Sequence, residues 1–328
     1  MGSDSRDGTD GLAPADRERL AALRSARSLG DLVDLTGAGD EHGAYFAAKD
    51  EWRDLRGREL AAAEREPTGL PGARVDVDDR TFRIHGITHA GTTAERSLLR
   101  EHAAAWLDAG ATVYCEQGIR SMYFQDYPSV YSMDDYRWAM AECRRLGIDS
   151  HVEGLSVEEF TGLAEQVDSL AATFREAAFS LVHAGGDVYG ERFREALGDV
   201  AGAFLTSHED AATAEDFRSF ALSRRAARNP DLLGDLQRYY ERSFLPQPVE
   251  REWLQRHDLE LEVMTHARNE RMTDYALDHA GGVTTGTTGT AAASTVHLVV
   301  GAAHQPGVRY YLEAVRDGCR EPSYEPVE

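Results

Sequence analysis

The chain has 328 residues, 42% of them hydrophobic, enough to bury one sizeable core or a core with a helical lobe; it does not read as a disordered protein. Its 57 acidic residues against 35 basic ones give a formal charge of −22, and such a surface repels phosphate backbones, which argues against nucleic acid as a partner. Lys49 is the only lysine, and an acidic chain with arginine in place of lysine suits a halophilic cytoplasm, where carboxylates keep the protein hydrated and salt screens their repulsion.

The opening MGSDSRDGTDG is acidic and polar, unlike a signal peptide, and no run approaches the ~20 apolar residues of a membrane span. A soluble cytoplasmic protein without membrane association is expected. Cys115, Cys143 and Cys319 are widely spaced with no CxxC pair, so they are expected as buried thiols in a reducing compartment.

Residues 1–12 read as a disordered tail and 13–74 as a helical N-terminal segment, with Leu, Ala and charged residues at helical spacing. TGAGDEHG, from Thr36 to Gly43, lacks a preceding strand and the glycine spacing of a phosphate loop, so it reads as a turn. From 75 to 328 the pattern is that of an α/β domain. Val75, Val77, Phe82 and Ile84 alternate as in strands. A helix then opens on Thr92 and Glu95 as a capping box and closes at Gly110. ATVYCEQG reads as a further strand, so residues 81–116 form a βαβ unit.

A helix ending at Gly147 and a short strand-like IDSHVEG follow. Residues at about 156–280 form a large helical insertion, and 281–295 a Gly/Thr-rich linker. TVHLVV suits a buried strand, GAAH ends it, and a last helix stops at Gly318. The fold class expected is α/β: a mixed or parallel sheet core built from βα units, with that helical insertion.

GITH, ending at His89, and GAAH, ending at His304, share one grammar: apolar strand, glycine, two small or β-branched residues, histidine, helix. A single GxxH reads best as a strand cap. Two in the same setting point to the crevice beyond the carboxyl ends of the strands, where ligands of open α/β sheets collect. Gly86 and Gly301 let the backbone turn there. Glu116 follows its strand directly and falls at the same edge. Two imidazoles and a carboxylate suit a divalent metal such as Mn, Co, Zn or Fe, and Glu116 could instead serve as general base. His85 reads as a strand histidine bonded to backbone, and His257, His266 and His279 as solvated helix positions. Tyr239, Tyr240, Phe244, Trp253, Tyr310 and Tyr311 read as core or lobe contacts, and no motif supports a Ser or Cys nucleophile.

GITH at 86–89, CEQGIR at 115–120, ARNERM at 267–272 and GAAHQPG at 301–307 together resemble the TraB family, which includes the PrgY and GumN groups and is related to the TIKI metalloproteases. The resemblance covers most of residues 81–318. It implies the broader fold group of erythromycin esterase (EreA) and ChaN-like proteins, and a metal-dependent hydrolase acting on a peptide, amide or ester bond of a small-molecule or peptide substrate. It also implies His89, His304 and Glu116 as metal ligands, Glu116 and Arg268 as catalytic groups, and Arg120, Arg268 and Asn269 as substrate-binding. Two departures stand out: Ala267 replaces the glutamate usual before the Arg-Asn pair, and the membrane-embedded region of many members is missing. The alternative is a non-catalytic regulatory protein that holds metal, haem or peptide in the same cleft.

Overall fold

A computed structural model of the protein describes residues 12–63, 69–148, 218–282 and 295–327. The N-terminal segment folds as α1 (Pro14–Ser25), α2 (Leu29–Thr36) and α3 (Glu41–Ala62). Gly37 ends α2 in a left-handed conformation and Asp40 caps α3, so the turn expected over Thr36–Gly43 is confined to residues 37–40 and the stretch's last residues open α3. Leu12, within the stretch expected to be tail, is buried with Leu20, Leu23, Leu32 and Trp52, and Leu245 and Val249 join that core. The N-terminal helices thus share a core with the late helical part of the chain.

The sheet has five strands in the order β1-β2-β5-β3-β4. β1 (Ala73–Val77) and β2 (Arg80–Ile87) form an antiparallel hairpin. β3 (Thr112–Cys115), β4 (Val130–Ser132) and β5 (Thr295–Gly301) run parallel to β2. β2 and β3 are parallel and joined by α4 (Thr93–Asp108), as expected, but they are not neighbours: β5 lies between them. The cause is burial. From Val296 onward every residue of β5 is buried, and such a strand is most stable at the centre of a sheet covered on both faces. β4, three residues long, carries no sequence signal of its own.

α5 (Ile119–Tyr123) and α6 (Asp135–Arg145) follow β3 and β4. After the undescribed stretch come α7 (Arg218–Arg228), a 3₁₀ turn at Pro230–Leu232, α8 (Leu233–Ser243), α9 (Gln247–His257) and α10 (Leu259–Glu262). A π-helical turn, Val263–Ala267, leads into α11 (Arg268–Gly282), and α12 (Gln305–Arg316) follows β5. On one face Phe82, Ile84, Leu298 and Val300 pack against Met272 and Ala276 of α11 and Val308 and Leu312 of α12. On the other, Ile87, Val113 and Val299 pack against Leu99 and Ala103 of α4 and Leu236, Tyr239 and Tyr240 of α8. About half of the expected helical insertion, residues 156–217, the IDSHVEG strand beyond Ile148 and the Gly/Thr stretch from 283 to 294 lie outside the described residues. Of the described helices, none is long and apolar enough to cross a membrane. Cys115 and Cys143 are buried, whereas Cys319 is exposed on the segment after α12, a correction to the expectation that all three are buried.

Candidate functional site

The parallel register that pairs Ile87 with Gly301 and Cys115 with Val299 brings the ends of β2, β3 and β5 to one edge. His89, Glu116 and His304 gather there. His89 has φ 59°, a left-handed conformation that costs a non-glycine residue about 1–2 kcal/mol and persists only where neighbours enforce it.

The enforcing group is Glu95. Thr92 caps α4 by accepting from the Glu95 amide, but the Glu95 carboxylate does not close the expected capping box. It turns to the loop and accepts from the Thr88 amide and hydroxyl, both at 2.7 Å, while Tyr123 donates to its second oxygen and receives the Gly91 amide at 2.8 Å. Burial, then the neighbouring Glu95 charge, push the Tyr123 hydroxyl well above its ordinary pKa, so it stays protonated and donates.

Glu116 is the hub. Its Oε2 accepts from the Gly301 amide at 2.7 Å and lies 3.2 Å from His89 Nε2. Its Oε1 accepts from Arg268 Nη2 at 2.6 Å and lies 3.6 Å from His304 Nε2. The Arg268 guanidinium also binds Asp135 Oδ2 through Nε at 3.1 Å and Nη2 at 2.6 Å. Asp135 in turn accepts from the Gln117 amide at 2.9 Å, which fixes the turn after Glu116. Burial alone would raise the Glu116 pKa, but the pull of His304 and His89 when protonated, and of the Arg268 guanidinium, outweighs it and holds the carboxyl well below its usual range. Glu116 is therefore a buried anion. His89, 35% exposed at its side chain, is the member of the trio that solvent reaches; His304 is buried.

Both motif glycines are dictated by close approach. A Cβ on Gly301 would stand 3.0 Å from His89 Nε2 and 3.4 Å from both Glu116 Oε2 and His304 Cδ2; on Gly86 it would meet Ala302 Cα at 2.8 Å. Any side chain at Gly301 would fill the space between the three functional groups.

The remaining expected site residues divide. Arg268 touches Glu116 directly. Asn269, expected to bind substrate, is buried and turned inward: its Oδ1 meets His304 Nδ1 at 2.8 Å and its Nδ2 reaches Gln247 at 3.1 Å. Arg120 donates from Nε to the Val130 carbonyl at 2.8 Å and ties α5 to β4. His85 bonds the Pro71 carbonyl, as expected, and also His297 at 3.0 Å, with Trp106 stacked on both rings. His257 is exposed, but His266 is buried against Gln247 and Phe244, contrary to a solvated helix position. Tyr239, Tyr240, Phe244 and Tyr311 are buried, in keeping with core roles. Asp135, Glu95, Tyr123, Gln247 and His266 were not legible as site residues, because each acts through a partner distant in sequence. The Asp134–Asp135 pair at the start of a helix was the one available hint.

His89, Glu116 and His304 are all residue types that ligate divalent metals. Ligands ~2.1 Å from a tetrahedral ion stand about 3.4 Å apart, close to both imidazole–carboxylate separations here. Yet the two imidazoles approach different oxygens of Glu116, and Arg268 already places a positive charge on one of them. Among the described residues no group of three or more His, Cys, Asp or Glu side chains is arranged to hold a metal ion as it stands. The donor chemistry suits a divalent ion; the arrangement would need Glu116 to loosen from Arg268.

Compared with protein-family models, curated proteins and solved structures, the chain matches none.

Proposed function

We propose that the chain is a hydrolase of peptide, amide or ester bonds working from the His89–Glu116–His304 cluster, with a divalent ion (Mn, Co, Zn or Fe) held by those three residues. The observation that carries this reading is the buried, ionised Glu116 facing two imidazole nitrogens at 3.2 and 3.6 Å, at the sheet edge where ligands of α/β folds bind. When bound, such an ion would acidify water from a pKa of ~16 towards ~7 and polarise the scissile carbonyl. Glu116 supplies the fixed negative charge, His89 is the group that meets substrate and solvent, and His304 is anchored behind it by Asn269. Arg268 acts first on Glu116, keeping it ionised and oriented; contact with a substrate carboxylate or an oxyanion would draw it away from that pair.

A second reading has its own support in the Arg268–Glu116 pair. With a cation already on Glu116, His89 directs Nε2–H to the carboxylate and keeps its lone pair on Nδ1, the arrangement of a general base that needs no metal. The experiment is a panel of peptide, amide and ester substrates assayed in molar KCl, before and after chelation and after reloading with each ion. Activity that chelation abolishes and one ion restores supports the first reading, and activity indifferent to chelator the second. Either requires His89→Ala and Glu116→Gln to lose on the order of 10²–10⁴ in rate. A wild-type chain that turns over nothing on the panel counts against hydrolysis and favours the non-catalytic binding protein.

A further inference from the structure

His304 is tied by Nδ1 to a buried row of polar groups that the hydrolytic reading leaves unused. The π turn before α11 places His266 and Asn269 so that both face Gln247 at the start of α9. His266 Nδ1 lies 3.0 Å and Asn269 Nδ2 3.1 Å from the same Gln247 Oε1, and Asn269 Oδ1 lies 2.8 Å from His304 Nδ1. All four residues are at most 2% exposed, so water does not compete for these bonds.

The row has one direction. A carbonyl oxygen only accepts, so both Asn269 Nδ2 and His266 Nδ1 donate to Gln247. Asn269 Oδ1, the other end of that amide, then accepts, and His304 Nδ1 must carry a proton to meet it. His266 closes the far end: burial, then the charge of the nearby Lys49, lower its pKa to about 3, so it is neutral and holds its proton at Nδ1. Its Nε2, correspondingly a bare lone pair, is buried with no hydrogen-bond partner among the described residues. Gly307 belongs to the same device, since a Cβ there would come within 2.1 Å of Asn269 Nδ2 and push the amide out of line.

We propose that Gln247 and His266 are positioning residues: through Asn269 they fix neutral His304 in the Nδ1–H form, so that its Nε2 faces Glu116 as a lone pair. Nε2 and Glu116 Oε1 then face each other across 3.6 Å, two donor atoms of the set proposed to hold a cation. That consequence for turnover rests on the hydrolytic reading of the site; the tautomer does not.

The test is a long-range proton–nitrogen NMR spectrum of the full chain labelled with nitrogen-15 histidine, taken at alkaline pH where the imidazoles are neutral. His304 is assigned by its loss in His304→Gln. Wild type should show a protonated Nδ1 and a bare Nε2 at His304. Gln247→Met and His266→Phe should shift His304 to a mixture of both forms, and Gln247→Glu, which still accepts twice, should retain the wild-type pattern. A wild-type His304 protonated at Nε2 overturns the proposal without any variant, and so does an unchanged tautomer in a folded Gln247→Met. On a substrate that wild type cleaves, Gln247→Met should lower kcat about 10–100-fold with KM little changed, and Gln247→Glu should recover most of it. A chain that cleaves nothing removes the hydrolytic reading and leaves the tautomer to the spectrum.

Discussion

Arg268 and Glu116 stand 152 residues apart in the chain and meet in a buried ion pair of 2.6 Å, with Asp135 accepting from the same guanidinium. A lone carboxylate in that position would be driven towards its neutral form by burial; the shared cation is what makes Glu116 usable as an anion. Arg268→Gln leaves two buried carboxylates without their partner and is expected to cost about 3–5 kcal/mol in denaturant unfolding. Arg268→Lys should recover only part of this, because a single ammonium does not reproduce the Nε and Nη2 geometry. A wild-type unfolding midpoint in Arg268→Gln would remove the ion pair from the account of the site.

Tyr123→Phe deletes the hydroxyl that joins the Gly91 amide to Glu95. The expected loss is about 1–3 kcal/mol, the cost of unsatisfied buried groups. The left-handed His89 should relax at the same time, and on the proposed hydrolytic reading a displacement of ~1 Å would lower turnover about 10²-fold. Stability and kcat measured on the same preparation check this: a loss of stability with unchanged kcat would show that the Glu95–Tyr123 clamp does not position His89.

Acid should destabilise the fold already above the ordinary carboxylate range. Burial lowers the pKa of His85 and His266 to about 3 and that of His297 to about 4, so all three stay neutral in the native chain while the unfolded chain protonates near 6.5. Between pH 6.5 and 5 the unfolded state therefore binds more protons, and stability falls as pH falls, by up to about 1.4 kcal/mol per pH unit for each histidine. His297→Gln should reduce that slope by about a third. Glu116 has the opposite sign of shift, so its contribution is present above the ordinary carboxylate range and is lost only below about pH 4.5, outside this window. Flat stability between pH 6.5 and 5 would contradict the buried neutral histidines.

Salt should act in the other direction. With a net charge of −22 and its one lysine buried beside Tyr45 and Glu250, the surface carries strong self-repulsion that molar KCl screens. The thermal midpoint is expected to rise between 0.1 M and 2 M KCl, and a midpoint that stays level or falls would argue against salt adaptation.

Much of the site was legible because local pattern and final position coincide. A strand that ends in glycine and histidine delivers that histidine to the sheet edge whatever the strand order, so His89, Glu116 and His304 could be read together from GITH, CEQG and GAAH. The reading failed where a residue's role depends on what it meets. Glu95 has the spacing of a capping-box carboxylate, yet Thr88 and Tyr123 outcompete the cap for it. His266 sits in a helical stretch rich in polar residues, and only the packing of α9 against the π turn shows that it is buried.

By itself the sequence determined the alternation of strands and helices, the acidic arginine-rich surface and the two histidine turns, because these follow from periodicity, composition and backbone chemistry within a few residues. The tertiary structure decided that β5 enters between β2 and β3, that Arg268 neutralises Glu116, and that Asn269 turns towards His304. Each of these depends on which buried groups find partners across more than 30 residues of chain, a competition settled by burial and hydrogen bonding that local pattern does not record.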